Sequence, residues 1–374
     1  MYAQRARLAF GAVAAGAMAM AFTVPGGSGI AAGQVHTARE AGAGTYVQTN
    51  LVSDIPGRAQ ITDPNLVNPW GASYGPGTPL WVSDNGTNVS TLYSGGVHGG
   101  TQSIVPLVVH IPGGVPTGQA FNPTKQFVVK APDGSKAPAL FLFVGESGHL
   151  TGWAPDVPGP GPSTHAQNAV VRHSAVYKGL ALARTDRGPR LYAANFASGA
   201  VDVYNGRFHR VMTRGNFADR RLPRGYAPFN VAVLRSKVYV AFAKQTPGSV
   251  DEMHGPGLGR VDVFTRNGVL LRRLTHHDQL NAPWGLTIAP RHFGVHRGDL
   301  LVGNFGDGRI HAYNPRTLAP TGVLRDRAHH PIVIDGLWAL LPGNGTEAAR
   351  NQVIFTAGPA DEAHGLLGTL SARR

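Results

Sequence analysis

The phrase Asn68-Pro69-Trp70-Gly71 returns far along the chain as Asn281-Ala282-Pro283-Trp284-Gly285, and each copy leads into an apolar run that ends in Asn or Asp before a Gly. Recurrence of this kind constrains the fold more than any single residue, because a small unit that cannot bury its own apolar face must stack on its copies. The first copy continues through Leu80-Trp81-Val82-Ser83-Asp84 and Val89-Ser90-Thr91-Leu92-Tyr93, the late copy through 300–304 and 309–313, and one between them through 177–181, 191–195 and 200–204. Short apolar runs divided by glycine-rich turns are antiparallel strands. Weaker copies fill the gaps, with anchors near Gly71, Gly118, Gly179, Asn230, Gly285 and Gly336. Their spacing of about fifty residues is that of a four-stranded propeller blade with generous loops. The expected fold is therefore all-β, a six-bladed β-propeller of four-stranded antiparallel blades built as a single domain over 45–374. With 50 Gly and 28 Pro in 374 residues, long helices are excluded. The absence of Cys excludes a disulfide framework and a lipoprotein anchor.

The N-terminus reads as a targeting segment. Arg5 and Arg7 precede an uncharged run reaching Val24, followed by Pro25-Gly26-Gly27 and the small residues Ala31 and Ala32. That order is a secretory signal peptide over 1–32, followed by a flexible lead over 33–44. It predicts a protein that is secreted or held at the cell envelope, with no transmembrane segment after cleavage. The formal net charge of +13 would attract polyanions such as an anionic cell-wall polymer. The basic residues are scattered and form no aromatic-interleaved stripe, which argues against specific nucleic-acid binding. The chain is expected to act as a monomer.

In a blade the strands run alternately up and down. The turn leading into the innermost strand and the turn between the second and third strands therefore open on the same face. The first kind supplies Asn68, Asn230, Asn281 and Asp335; the second supplies Asp84, Glu146, Asn195, Lys244, Gln245, Asn304, Asp307 and Asp361 with Glu362. Ligand binding is expected of Asn68, Asp84, Asn195, Asn230, Lys244, Asn281, Asn304 and Asp335, gathered at one mouth of the central channel. Carboxylate and amide oxygens also suit a hard cation such as Ca²⁺, with Asp84, Glu146, Asn195, Asn304 and Asp361 as candidate ligands. Asp84-Asn85-Gly86 and Asp307-Gly308 are equally sequences that favour tight turns. Lys244 stands where other copies carry Asn or Asp, and Lys178 lies close to the same turns; both tilt the expectation toward a small acidic ligand. His276-His277-Asp278 and His329-His330 read as solvated loops, and Trp70, Trp81, Trp153, Trp284 and Trp338 as wedges packing between blades. No nucleophile elbow, zinc-protease helix, Walker sequence or dinucleotide fingerprint is present.

Longer phrases carry a resemblance. Thr62-Asp63-Pro64-Asn65-Leu66-Val67-Asn68-Pro69-Trp70-Gly71, Trp81-Val82-Ser83-Asp84-Asn85-Gly86, Gly225-Tyr226-Ala227-Pro228-Phe229-Asn230, Gly303-Asn304-Phe305-Gly306-Asp307-Gly308 and Phe355-Thr356-Ala357-Gly358-Pro359 occur in order. Over about 45–370 the chain resembles an uncharacterised family of secreted bacterial proteins related to the NHL-repeat and TolB-like six-bladed propellers. The resemblance implies a propeller in an exported protein and brings no established activity. Wider relatives of that fold include gluconolactonase-type and paraoxonase-like hydrolases, whose metal lies at the channel mouth; the resemblance supports a location there and not a reaction. Two functional expectations follow: a scaffold that binds a small ligand or extracellular partner at the mouth, or a divalent-metal-assisted lactonase or esterase.

Overall fold

A computed structural model of the chain describes residues 44–97, 100–275 and 278–373. The signal peptide and most of the flexible lead lie outside the described residues, as do His276 and His277. Among the described residues the strands group into six small antiparallel sheets arranged in a ring, which is the expected six-bladed propeller. The innermost strands are Pro69–Ser73, Pro116–Phe121, Tyr177–Thr185, Tyr226–Leu234, Pro283–Ile288 and Leu337–Pro342, and each lies beside the next around the axis. No described helix is long and apolar enough to cross a membrane.

The glycine of the repeated phrase has a steric cause. A Cβ on Gly71 would lie 2.5 Å from the carbonyl oxygen of Thr117 on the next inner strand, and one on Gly285 would lie 2.8 Å from that of Trp338. Gly118 and Gly179 meet the following inner strand in the same way. Six strands converging on one axis leave no room for side chains where their backbones pass, so that position is held by glycine in four of the blades. In the sixth copy the place belongs to Trp338-Ala339. Gly336, the expected anchor, instead occupies the preceding turn with φ of 65°.

Closure joins the two ends of the described chain. The first described strand, Tyr46–Ser53, pairs antiparallel with the last, Leu366–Ala372, from Tyr46 opposite Ala372 to Ser53 opposite Leu366. The two ends of the propeller are thereby sewn into one blade, which leaves no open sheet edge at the seam. The longest interval between copies, from Gly118 to Gly179, contains the added hairpin Val128–Lys130 and Lys136–Pro138.

Tryptophans divide into two groups. Trp81 packs on Phe141 with centroids 4.3 Å apart and on Trp153 at 4.6 Å, forming the expected wedge between the first two blades. Trp70, Trp284 and Trp338 sit instead at the axis. Trp338 lies between Trp70 at 3.5 Å and Phe305 at 3.9 Å, with Phe229 and Trp284 edge-on or tilted around them. This aromatic plug floors one mouth. Beneath it, the other end of the channel is a cavity of about 250 Å³ with walls such as Ala72, Leu180, Leu182 and Leu286. Its polar residues are engaged with the walls, Gln119 with Ser73, Trp81 and Ser83 and Asn230 with Trp284 and Val231, so that end offers little for recognition.

Candidate functional site at one mouth of the channel

The residue before the phrase glycine, or its equivalent, points to the axis. Around the ring these residues are Trp70, Thr117, Lys178, Phe229, Trp284 and Trp338. Four of the six are aromatic; the exceptions are Thr117 and Lys178, and Lys178, the one charged residue of the ring, is only 1% exposed. Its Nζ lies 5.0 Å from the Trp70 ring centroid and 5.6 Å from that of Phe196. An ammonium held in such surroundings needs opposite charge close by. Glu146 supplies it by accepting a hydrogen bond from Nζ at 2.5 Å, and Glu252 adds an ion pair at 3.9 Å.

The turns between second and third strands build the rest. Asn85 donates to Glu146 at 3.2 Å, and Asn68, which leads into the first inner strand, donates to Asn85 at 3.4 Å and to Glu362 at 2.8 Å. The Asn68 side-chain oxygen accepts from Trp338 Nε1 at 2.9 Å, so the plug orients the polar layer above it. Glu252 also contacts His254 at 3.3 Å. Side chains of blades 1, 2, 3, 4 and 6 therefore meet around Lys178.

Glu362 arrives on an unusual backbone. Ala360, Asp361 and Glu362 have consecutive φ values of 58°, 53° and 68°. Left-handed conformation costs a non-glycine residue on the order of 1 kcal/mol or more, so such a turn persists only where its surroundings hold it. Asp335 accepts from the Ala360 N–H at 2.8 Å, the Glu362 N–H donates to Gly358 O at 3.1 Å, and His364 pairs with Asp54 at 2.7 Å.

Electrostatics follow from the count of three carboxyl groups around one ammonium. Burial, reinforced by Glu252 and Glu146, pushes Glu362 up to about 7, against the opposing pull of Lys178 and Asn68. For Glu252, burial is outweighed by the His254 hydrogen bond and the Lys178 charge, and its carboxyl is held below the usual range. Burial likewise opposes the Lys178 charge, but the three glutamates outweigh it and raise its pKa. A carboxyl raised on folding stabilises the folded state fully below its unfolded pKa, and that contribution is lost as pH rises toward the folded value. Glu362→Gln is accordingly expected to stabilise the protein by ~1 kcal/mol at pH 8. The gain should shrink as pH falls toward 4.5. Urea unfolding across that range checks it, and a gain independent of pH would mean that Glu362 is not held protonated by this site.

The structure brings some of the expected residues together and not others. Asn68 and Glu146 stand in the mouth. Asp335 buttresses the Glu362 turn, and exposed Asp361 lies within it. Asn281 accepts from the Gly255 N–H at 2.7 Å, beside His254. Asp84, Asn195 and Asn304 turn back into their own blades. Asp84 accepts from the Thr91 N–H and hydroxyl at 3.0 and 2.7 Å, Asn195 donates to Asp202 at 3.0 Å, and Asn304 donates to Gln279 O at 2.8 Å and Asp307 at 3.0 Å. The cause is strand alternation: each is the last residue of a second strand, and its successor, Asn85, Phe196 or Phe305, is the one that faces the mouth. Asn230 donates to Trp284 O at 2.7 Å within the channel wall, and Lys244 donates to Arg224 O at 2.8 Å beside Tyr226. The five candidate metal ligands therefore do not converge, and among the described residues no three His, Asp or Glu are grouped as a metal site requires. Sequence reasoning missed Asn85, Glu252 and His254. Asn85 was findable as the residue one past Asp84. Glu252 had no signal, because it comes from an excursion, Glu252–Met253, that pairs back onto the second strand of blade 4 alone.

No family model matches the chain. It is 31% identical over 333 residues to the uncharacterized protein R648 of Acanthamoeba polyphaga mimivirus, covering 87% of this chain and 80% of that protein. It is 32% identical over 338 residues to the uncharacterized protein L690 of the same virus, covering 87% and 86%. These relatives are viral, and the bacterial membership expected from the sequence phrases is not supported by them. Among solved structures, an α-L-arabinanase of Penicillium chrysogenum superposes with a TM-score of 0.53 at 11% identity, over 87% of this chain and 98% of that one. The aldose sugar dehydrogenase of Streptomyces coelicolor superposes at 0.50 with 13% identity, over 88% and 98%. Identities this low bear on the fold alone. By fold the chain is a six-bladed β-propeller, and by descent it belongs to the family that includes the uncharacterized mimivirus proteins R648 and L690.

Proposed function

We propose that the protein is a binding scaffold that recognises a small ligand at the mouth formed by Asn68, Asn85, Glu146, Lys178, Glu252 and Glu362. The observation that carries this reading is Lys178 itself, a buried cation set in an otherwise largely aromatic ring and ringed by carboxyl groups from three blades. Apolar side chains of similar volume would stabilise the axis as well or better, so selection for stability does not account for the cluster. Perturbed, partly exposed titratable groups in a concave site are the usual mark of recognition or chemistry. The acidic ligand suggested by Lys244 and Lys178 is disfavoured, because Lys244 is engaged elsewhere and Lys178 is outnumbered by glutamates. Export belongs to this reading on the strength of segment 1–32 alone.

An enzymatic reading has one observation in its favour: Glu362, held near neutrality, stands in the same cluster as the ion-paired carboxylate of Glu146. Two carboxyl groups in unlike environments are how acid and base roles are divided. A calcium-assisted lactonase would need a ligand set that Asp84, Asn195, Asn304 and Asp361 do not form with Glu146. The test is a thermal-shift screen of small molecules against wild type, Glu362→Gln and Asn85→Ala. A true mouth ligand raises the wild-type Tm and loses most of that shift in both variants; equal shifts in all three proteins, or none in any, would sink the proposal.

A further inference from the structure

Lys178 has three N–H donors, yet among the described residues it makes one hydrogen bond, to Glu146. Glu252 at 3.9 Å is an ion-pair contact beyond hydrogen-bond range. Two donors of a side chain that is 2% exposed are thus without acceptors, which is costly for a buried charge. Glu362, whose charge also acts on Lys178, uses one oxygen to accept from Asn68, and its second oxygen has no partner among the described residues. The cluster therefore holds unused donors and an unused carboxyl oxygen together, against the aromatic rings of the plug.

Three ligand chemistries can be compared on that basis. An anion accepts from Lys178 but must enter against three glutamates. A cation donates to the glutamates but offers Lys178 nothing and is repelled by it. A hydroxyl both accepts and donates, and adds no charge to a cluster whose charges already offset one another in part.

We infer that the ligand of this mouth is a neutral polyhydroxylated molecule, a sugar or polyol, with one hydroxyl accepting from Lys178 while it or its neighbour bonds to Glu362. The inference rests on the reading that the mouth is the binding site. Aromatic side chains packed beneath carboxyl groups suit the mixed apolar and hydroxylated faces of such a molecule.

Ligand-detected NMR on the full chain decides it, using glucose, arabinose, myo-inositol and glycerol as neutral probes, gluconate and phosphate as anions, and putrescine as a cation. Wild type is expected to bind at least one neutral probe, with affinity reduced at least tenfold by Glu362→Gln and by Asn85→Ala, which releases one oxygen of Glu146. Lys178→Met should abolish binding, but it also removes a balancing charge from the core, so the other two variants carry the decision. Binding of gluconate, phosphate or putrescine in place of the neutral probes, still weakened by Glu362→Gln, would overturn the ligand class and leave the mouth as the site. Neutral-probe binding unchanged in both variants would overturn both readings. No binding of any probe would leave the free donors of Lys178 to water and overturn both as well.

Discussion

Replacing Lys178 by methionine is expected to cost about 3–5 kcal/mol of folding stability at neutral pH, the usual consequence of leaving buried charges without their partner. The side chain is comparable in length and apolar volume, so packing against Trp70, Phe196 and Phe229 is largely kept. What disappears is the ammonium that balances Glu146, Glu252 and Glu362. Glu252 and Glu362 then lose a charge that favoured their ionised forms, and their folded pKa values rise above the unfolded value of about 4.3. Stability is therefore lost as pH rises from the unfolded value and recovered as it falls. Urea unfolding at pH 8 and pH 5 should show a large deficit at the first and a much smaller one at the second. An equal deficit at both would place the loss in packing and remove the electrostatic account of the mouth.

The second large effect is expected from Trp338→Ala, at about 3–5 kcal/mol. Trp338 is fully buried, packs face to face with both Trp70 and Phe305, and donates to the side-chain oxygen of Asn68. Removing it opens a cavity at the axis and frees the amide that holds Glu362. Trp338→Phe separates these roles, because it retains most of the volume and loses only the hydrogen bond, worth about 1 kcal/mol net. Trp338→Ala should also flatten the pH dependence attributed to Glu362, because opening the axis to water relieves the burial that raises its pKa. A Trp338→Ala protein that loses less than 1 kcal/mol would mean the plug is not what closes the channel.

Much of this architecture was legible along the chain, and the reasons are local. Backbone crowding at the axis selects glycine after the axis-facing residue, as at Gly71, Gly118, Gly179 and Gly285, so the inner strand of a blade announces itself. The meeting of the two kinds of turn at one mouth follows from up-and-down strand order. The choice of side chain within those turns was not legible in the same way. Asp84, Asn195 and Asn304 were conspicuous because they recur, yet their recurrence serves bonds inside each blade, to Thr91, Asp202 and Asp307. Asn68 and Asn281 look alike in sequence. In register, however, Asn68 matches Ala282: both precede the proline of the phrase and share positive φ, 46° and 44°, and Asn281 falls one place earlier.

By itself the amino-acid sequence determined the all-β class, the number of blades and the face on which the turns gather, since each depends on patterns that repeat within about fifty residues. The tertiary structure alone decided that Lys178, Glu146, Glu252 and Glu362 form one cluster. Glu362 and Asn68 are 294 positions apart and come together only when the first and last strands close the ring. The left-handed turn that delivers Glu362 is likewise held by Asp335 and Asp54 from elsewhere in the chain. No local propensity favours such a turn, so it persists only where tertiary contacts hold it, and the one to Asp54 forms only at closure.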